Sequence, residues 1–96
     1  MGGPLVTWLF ENYPNPFTSS TTVAYSVARQ THVEIAIFNV EGRRVRTLVN
    51  HSMPAGRHLV FWDGSDSMGR RVGPGVYFYR LAAGSHVSVK KMIAIR

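Results

Sequence analysis

The sequence predicts an antiparallel all-β sandwich of about seven strands, and three observations predict it. Alternation of apolar and polar residues with period two recurs every eight to twelve residues. Clusters of Gly, Pro, Asn and Asp separate the alternating stretches, and nowhere does an apolar pattern hold a 3.6-residue period for three turns. With 96 residues, 45 % of them hydrophobic and 17 % charged, the chain is one domain with enough apolar content for a single core. It holds no cysteine, so that core must suffice without disulfides or thiolate metal sites.

The first alternating stretch is Thr22–Val27, with Val23, Tyr25 and Val27 on one face. Val33–Phe38 follows, with Val33, Ile35 and Ile37 inward, and turns through Asn39-Val40-Glu41-Gly42 into Val45–Val49. Gly42 supplies the positive φ that a tight hairpin turn needs. A second hairpin is expected at Met53-Pro54-Ala55-Gly56, returning along His58–Trp62 with Val60 and Trp62 on one face. The segment Asp63–Gly75, with four glycines and a proline, reads as a long loop. The strongest strand, Val76–Ala82, puts Tyr77, Tyr79 and Leu81 on one face and Val76, Phe78 and Arg80 on the other. After Ala83-Gly84-Ser85, the last strand runs from about His86 to Ile95, with a bulge expected at Lys90-Lys91. Lysines there also guard an edge strand against edge-to-edge pairing.

The stretch from Trp8 to Phe17 is different, because Pro14 and Pro16 remove ladder donors. It is expected to lie extended along an edge or across the bottom of the sandwich. Tyr13 and Phe17 would then act as plugs, with Asn15 bonding backbone. Residues 1–8, opening Met1-Gly2-Gly3-Pro4, are expected to be an added start or linker remnant, with 9–96 the single domain. That start shows no basic stretch followed by an apolar run, and in an exported parent the signal is expected upstream.

Little here supports catalysis. The four histidines lie 19, 7 and 28 positions apart, without metal-ligand spacing, and the sequence holds no nucleophile elbow and no phosphate loop. Asp63 and Asp66 invite comparison with a calcium loop, but the glycine and the closing glutamate are missing. They are expected instead to accept backbone N–H groups in Asx-type turns. No enzyme activity, cofactor or metal is predicted. The formal charge of +6 is spread in ones and twos beside turns, with no nucleic-acid-binding motif. An anionic surface is the partner that charge leaves open. Of the eleven aromatic residues, Tyr25, Phe61, Trp62, Tyr77 and Tyr79 are expected in the core, and Trp8, Phe38 and Phe78 exposed. The exposed ones leave room for an accessory carbohydrate-binding or structural sandwich as a second reading.

The ordered motifs carry a resemblance. Asn12-Tyr13-Pro14-Asn15-Pro16-Phe17 resembles the opening of the type A C-terminal sorting domain of type IX secretion cargo proteins of the Bacteroidetes. Phe38–Val45 with Gly42, then Trp62-Asp63-Gly64-Ser65-Asp66, Gly69, and Gly75-Val76-Tyr77 onward continue the likeness. These last motifs also resemble the immunoglobulin-like domain of the flagellar hook-capping protein. Lys90-Lys91-Met92 and Ile93–Arg96 are similar to the basic-then-apolar strand that ends such cargo. Thr18-Ser19-Ser20-Thr21 departs from the pattern, since many relatives continue Asn-Pro after the phenylalanine.

The resemblance implies an immunoglobulin-like sandwich and a non-catalytic secretion label on a larger N-terminal cargo domain. Its implied partners are the outer-membrane translocon, a sortase-like protease of the cell surface, and anionic lipopolysaccharide. The implied location is the outer cell surface or the medium, reached through the periplasm, with the module acting as a monomer. Lys90, Lys91 and Arg96 are the candidate translocon contacts. Asn12, Pro14, Asn15, Pro16, Phe17, Gly42, Trp62, Asp63, Gly64, Asp66, Gly69, Gly75 and Tyr77 are expected to be mainly structural.

Overall fold

A computed structural model describes residues 6–95, which form seven strands and no helix. They are β1 (Trp8–Leu9), β2 (Thr21–Val27), β3 (Thr31–Phe38), β4 (Arg44–Met53), β5 (Gly56–Trp62), β6 (Gly75–Ala83) and β7 (His86–Ala94). Two antiparallel sheets face each other, one in the order β1-β2-β5 and one in the order β4-β3-β6-β7. Alternation decides which side chains meet between them. Val23, Tyr25 and Val27 of β2, Val33, Ile35 and Ile37 of β3, and Tyr77, Tyr79 and Leu81 of β6 are all buried in one cluster. Fully burying one large apolar side chain is worth about 1.5–3 kcal/mol, so this shared core supplies most of what holds the sheets together.

Two turns are as the sequence predicts. Asn39–Gly42 joins β3 to β4, with Gly42 at φ +80° and the Asn39 carboxamide oxygen accepting the N–H groups of Glu41 and Arg43. Gly84-Ser85 joins β6 to β7, whose ends pair Ala83 with His86.

Met53–Gly56 is not a hairpin turn. β4 pairs with β3 and β5 pairs with β2, so the segment carries the chain from one sheet to the other. β4 also runs on to Met53, because β3 offers a partner as far as Thr31. The bulge expected in β7 is absent. Its pairing with β6 is continuous from Gly75–Ala94 to Ala83–His86, and the register shifts fall between β3 and β4, at Ile35/Ala36 and Ile37/Phe38.

Phe17 is buried as expected, its ring 5.5 Å from that of Trp62, which meets Tyr77 edge-on at 5.9 Å. These three rings close one end of the sandwich. Tyr13 is no plug: it bridges to Thr22 on the outer face and is 80 % exposed. Phe61 also points outward, because the inward positions of β5 belong to Trp62 and Val60. Phe38 and Phe78 are half-buried rather than exposed, Phe38 being covered by the guanidinium groups of Arg44 and Arg80.

Candidate functional site

The candidate contacts lie on β7, an edge strand of the four-stranded sheet. Because its register is unbroken, Lys90 shares its side of the strand with buried Met92 and Ala94, whereas Lys91 shares the outer side with Val87 and Val89. The two lysines therefore do different things. Lys90 Nζ lies 3.1 Å from Glu11 Oε2, a surface ion pair linking β7 to the entering segment. Such pairs are worth about 0–1 kcal/mol, so it orients more than it stabilises. Lys91 is exposed and makes no ion pair among the described residues. Arg96 lies outside the described residues.

The backbone of β7 is divided into a closed part and an open part. Ile93 gives its N–H to Asn15 Oδ1 at 2.9 Å and its carbonyl to the Phe17 N–H at 2.9 Å. The Ile95 N–H then donates to the Phe17 carbonyl at 2.8 Å, which makes a short parallel bridge. Both polar groups of Ile93 thus face away from β6. Alternation turns those of Lys91, Val89 and Val87 the same way, and none of them has a hydrogen-bond partner among the described residues. The edge is capped at Ile93 and Ile95 and open over residues 87–91. An open run of this kind can take up another extended chain.

The N-terminal motif builds the cap. Tyr79 Oη donates to the Phe10 carbonyl and accepts the Asn12 N–H, both at 2.9 Å. Burial of this phenol pushes its pKa up to about 12. Asn12 is buried and donates through Nδ2 to Thr21 Oγ1 and the Pro14 carbonyl, and Thr21 donates to that same carbonyl. Asn12, Thr21 and Tyr79 so hold the chain in place while Pro14, Asn15 and Pro16 cross the surface toward β7.

The second motif block builds a loop. Asp63 Oδ1 accepts the N–H and hydroxyl of Ser65, and Asp66 Oδ1 accepts the N–H groups of Met68 and Arg70, the Asx-type turns that the spacing predicts. The Ser65 hydroxyl and N–H hold the Asp63 carboxyl below its ordinary pKa, and the Arg70 and Met68 N–H groups do the same for Asp66. Trp62 Nε1 donates to the Ser65 carbonyl, Tyr77 Oη donates to the Gly73 carbonyl, and positive φ is found at Gly69 in the turn between them and at Gly75 where β6 begins.

Two arginines that the sequence does not single out complete the loop. Arg46 reaches Ser65 Oγ and the Asp66 carbonyl, and Arg71 donates to the carbonyls of Thr18, Ser19 and Asp63. Gly64 leaves room for Arg71, since a Cβ there would stand 2.9 Å from its Nη1. Much of the positive charge at this end is therefore spent on backbone carbonyls. No local pattern marks Arg71 for that role, because its partners are as far as 53 positions away.

Among the described residues no three His, Asp or Glu side chains come together as a metal site. The histidines bond separately, His32 to Asn50, His51 to the Ser52 carbonyl and His58 to the Pro54 carbonyl. What the fold offers is a sandwich whose β7 edge is open over residues 87–91, beside which the chain's N-terminal motif and C-terminal strand are sewn together.

Its family is shown by sequence. The chain belongs to the secretion system C-terminal sorting domain family, whose profile matches residues 11–96. No protein of curated function is similar to it in sequence. Among solved structures it is similar to part of dimeric latent PorU from Porphyromonas gingivalis, with 22 % identity and a TM-score of 0.77 over 94 % of this chain and 9 % of that one. It is also similar to part of PorZ of the same organism, described as an essential surface component of the type-IX secretion system, with 21 % identity and a TM-score of 0.65 over 94 % and 11 %. FlgD from Xanthomonas campestris, described as acting in hook capping for flagellar assembly, matches with 21 % identity and a TM-score of 0.62 over 94 % and 62 %. At these identities the structures share the fold, and the chain spans only a small part of the two P. gingivalis proteins.

Proposed function

We propose that the chain is the non-catalytic export label of a larger cargo protein, taken across the outer membrane by the type IX pathway to the cell surface or medium. Family membership over residues 11–96 carries this reading, and the open edge of β7 supports a mechanism for it. The translocon adds a strand to residues 87–91. Backbone hydrogen bonds supply affinity, while Val87, Val89 and Lys91 supply side-chain contacts. Lys90 holds the edge in place through Glu11, and Arg96 adds a further positive charge in the sequence after β7. The cap at Ile93–Ile95 fixes where the added strand must stop.

The cargo precedes the sandwich in the same chain, and the label works as a monomer. A cell-surface sortase-like protease removes it, and the freed cargo is passed to anionic lipopolysaccharide. The test is to fuse the chain behind a periplasmic reporter in a bacterium with type IX secretion. The reporter should appear outside the cell, and a folded fusion held in the periplasm would reject the reading.

A further inference from the structure

The outer face of the three-stranded sheet is shaped as a trough. β2 lies between β1 and β5, and its outward residues Thr22, Ala24 and Ser26 are all small, Ser26 being covered and donating its hydroxyl to the Val6 carbonyl. The flanking chains carry the bulk. Trp8 and Arg57 stand beside Ser26, Phe10 and Leu59 beside Ala24, and Tyr13 and Phe61 beside Thr22. Two strand spacings put the walls about 10 Å apart, and the outward positions from Thr22 to Ser26 span about 14 Å along β2. Trp8 is 51 % exposed, Phe61 62 %, Leu59 74 % and Tyr13 80 %. So much exposed apolar surface in one place on a small domain marks a binding face.

The chemistry of the walls selects the occupant. Flat aromatic rings present the surface on which the C–H faces of sugar rings stack, and three exposed ones stand here within one trough. Arg57 lies across it, its guanidinium carbon 4.5 Å from the Phe10 ring centre, and forms no ion pair among the described residues. Glu11, next to Phe10 in the chain, is turned away to Lys90. The trough thus combines stacking surfaces with one fixed, uncompensated cation. A second copy packed on this face would bring another uncompensated Arg57 and no acid to meet it. An anionic sugar meets both features, with its rings on Trp8, Tyr13 and Phe61 and its carboxylate on Arg57.

We propose that this trough binds an acidic polysaccharide. The inference does not rest on the sorting reading, since β7 belongs to the other sheet and the two surfaces fail or succeed separately.

Affinity electrophoresis of the whole chain tests it, in native gels containing polygalacturonate, a neutral β-glucan or dextran sulfate. Polygalacturonate should retard the protein more than either of the others. Trp8→Ala and Phe61→Ala should each weaken that binding about tenfold, the scale of one lost ring contact. Arg57→Gln should remove the preference over the neutral glucan, and Arg43→Gln, an equal loss of charge at the β3–β4 turn, should change nothing. Cooperative thermal unfolding of each variant confirms that it is folded. Absence of retardation overturns the proposal. Equal retardation by dextran sulfate, weakened as much by Arg43→Gln as by Arg57→Gln, would also overturn it by assigning the effect to net charge. Self-association abolished by Phe61→Ala would give the face to a second copy and reject the glycan.

Discussion

Asn15 Oδ1 accepts the backbone N–H of Ile93 at 2.9 Å, across 78 positions of sequence. With the Phe17 bridge beside it, this bond fastens the start of the domain to the end of its last strand. Asn15→Ala should cost about 0.5–1.5 kcal/mol, the net worth of one hydrogen bond. Amide exchange should then accelerate at Ile93 and Ile95 while Val23, Ile35 and Tyr79 keep their protection. Uniform acceleration would mean that the cap is no separate unit.

Tyr79 holds the other end of that segment. Tyr79→Phe leaves the buried Asn12 N–H and the Phe10 carbonyl without their partner, and should cost about 1–3 kcal/mol in chemical denaturation. The same phenol sets an alkaline limit. Its pKa is raised in the folded state to about 12, so its contribution is complete below the ordinary value near 10 and is lost as pH rises from there toward 12. Stability of the Phe variant should fall less over that window than stability of the parent.

At the acid end the loop should yield before the core. Asp63 and Asp66 have lowered values in the fold, so their contribution is present above the ordinary carboxyl value near 3.9 and is lost as pH falls through their lower folded values. Below about pH 4, amide exchange at Ser65, Met68 and Arg70 should increase while β3 and β6 stay protected. Asp66→Ala should produce the same opening of Met68 and Arg70 at neutral pH.

Gly64→Ala should damage the loop twice. The residue sits at φ +77°, where an L side chain costs about 1–2 kcal/mol, and its new Cβ would crowd Arg71. Loss of the Arg71 bonds to Thr18 and Ser19 should appear as faster proteolysis within 63–74. Gly42→Ala, with open space around it, should show only the backbone cost.

Alternation made the inward rows of β2, β3 and β6 legible, since Val, Ile and Tyr recur there at every second position. It misled wherever apolar residues line an outer face. The apolar phase of the last strand changes between Val89 and Met92, which reads as a bulge. In the fold Val87 and Val89 point to solvent, and the strand is regular. Phe61 and Tyr13 mislead in the same way. Met53–Gly56 was legible as a reversal, but turn residues do not say which sheet the next strand joins. Lys90 and Lys91 could be singled out as candidates from their place in the chain, whereas Glu11, 79 positions from Lys90, could not be matched to it. The open edge follows only once the Phe17 bridge is known.

The central claim is that the translocon reads the open edge of β7, and Val89→Pro tests it most directly. The Val89 N–H faces away from β6, so proline removes a donor that the fold does not use and blocks strand addition. The quantity to measure is the fraction of a reporter fusion outside cells with type IX secretion, compared between parent and variant with both shown to be folded. The account predicts that the parent is exported and that the Val89→Pro fusion stays in the periplasm. Export of the variant at the parental level would contradict it.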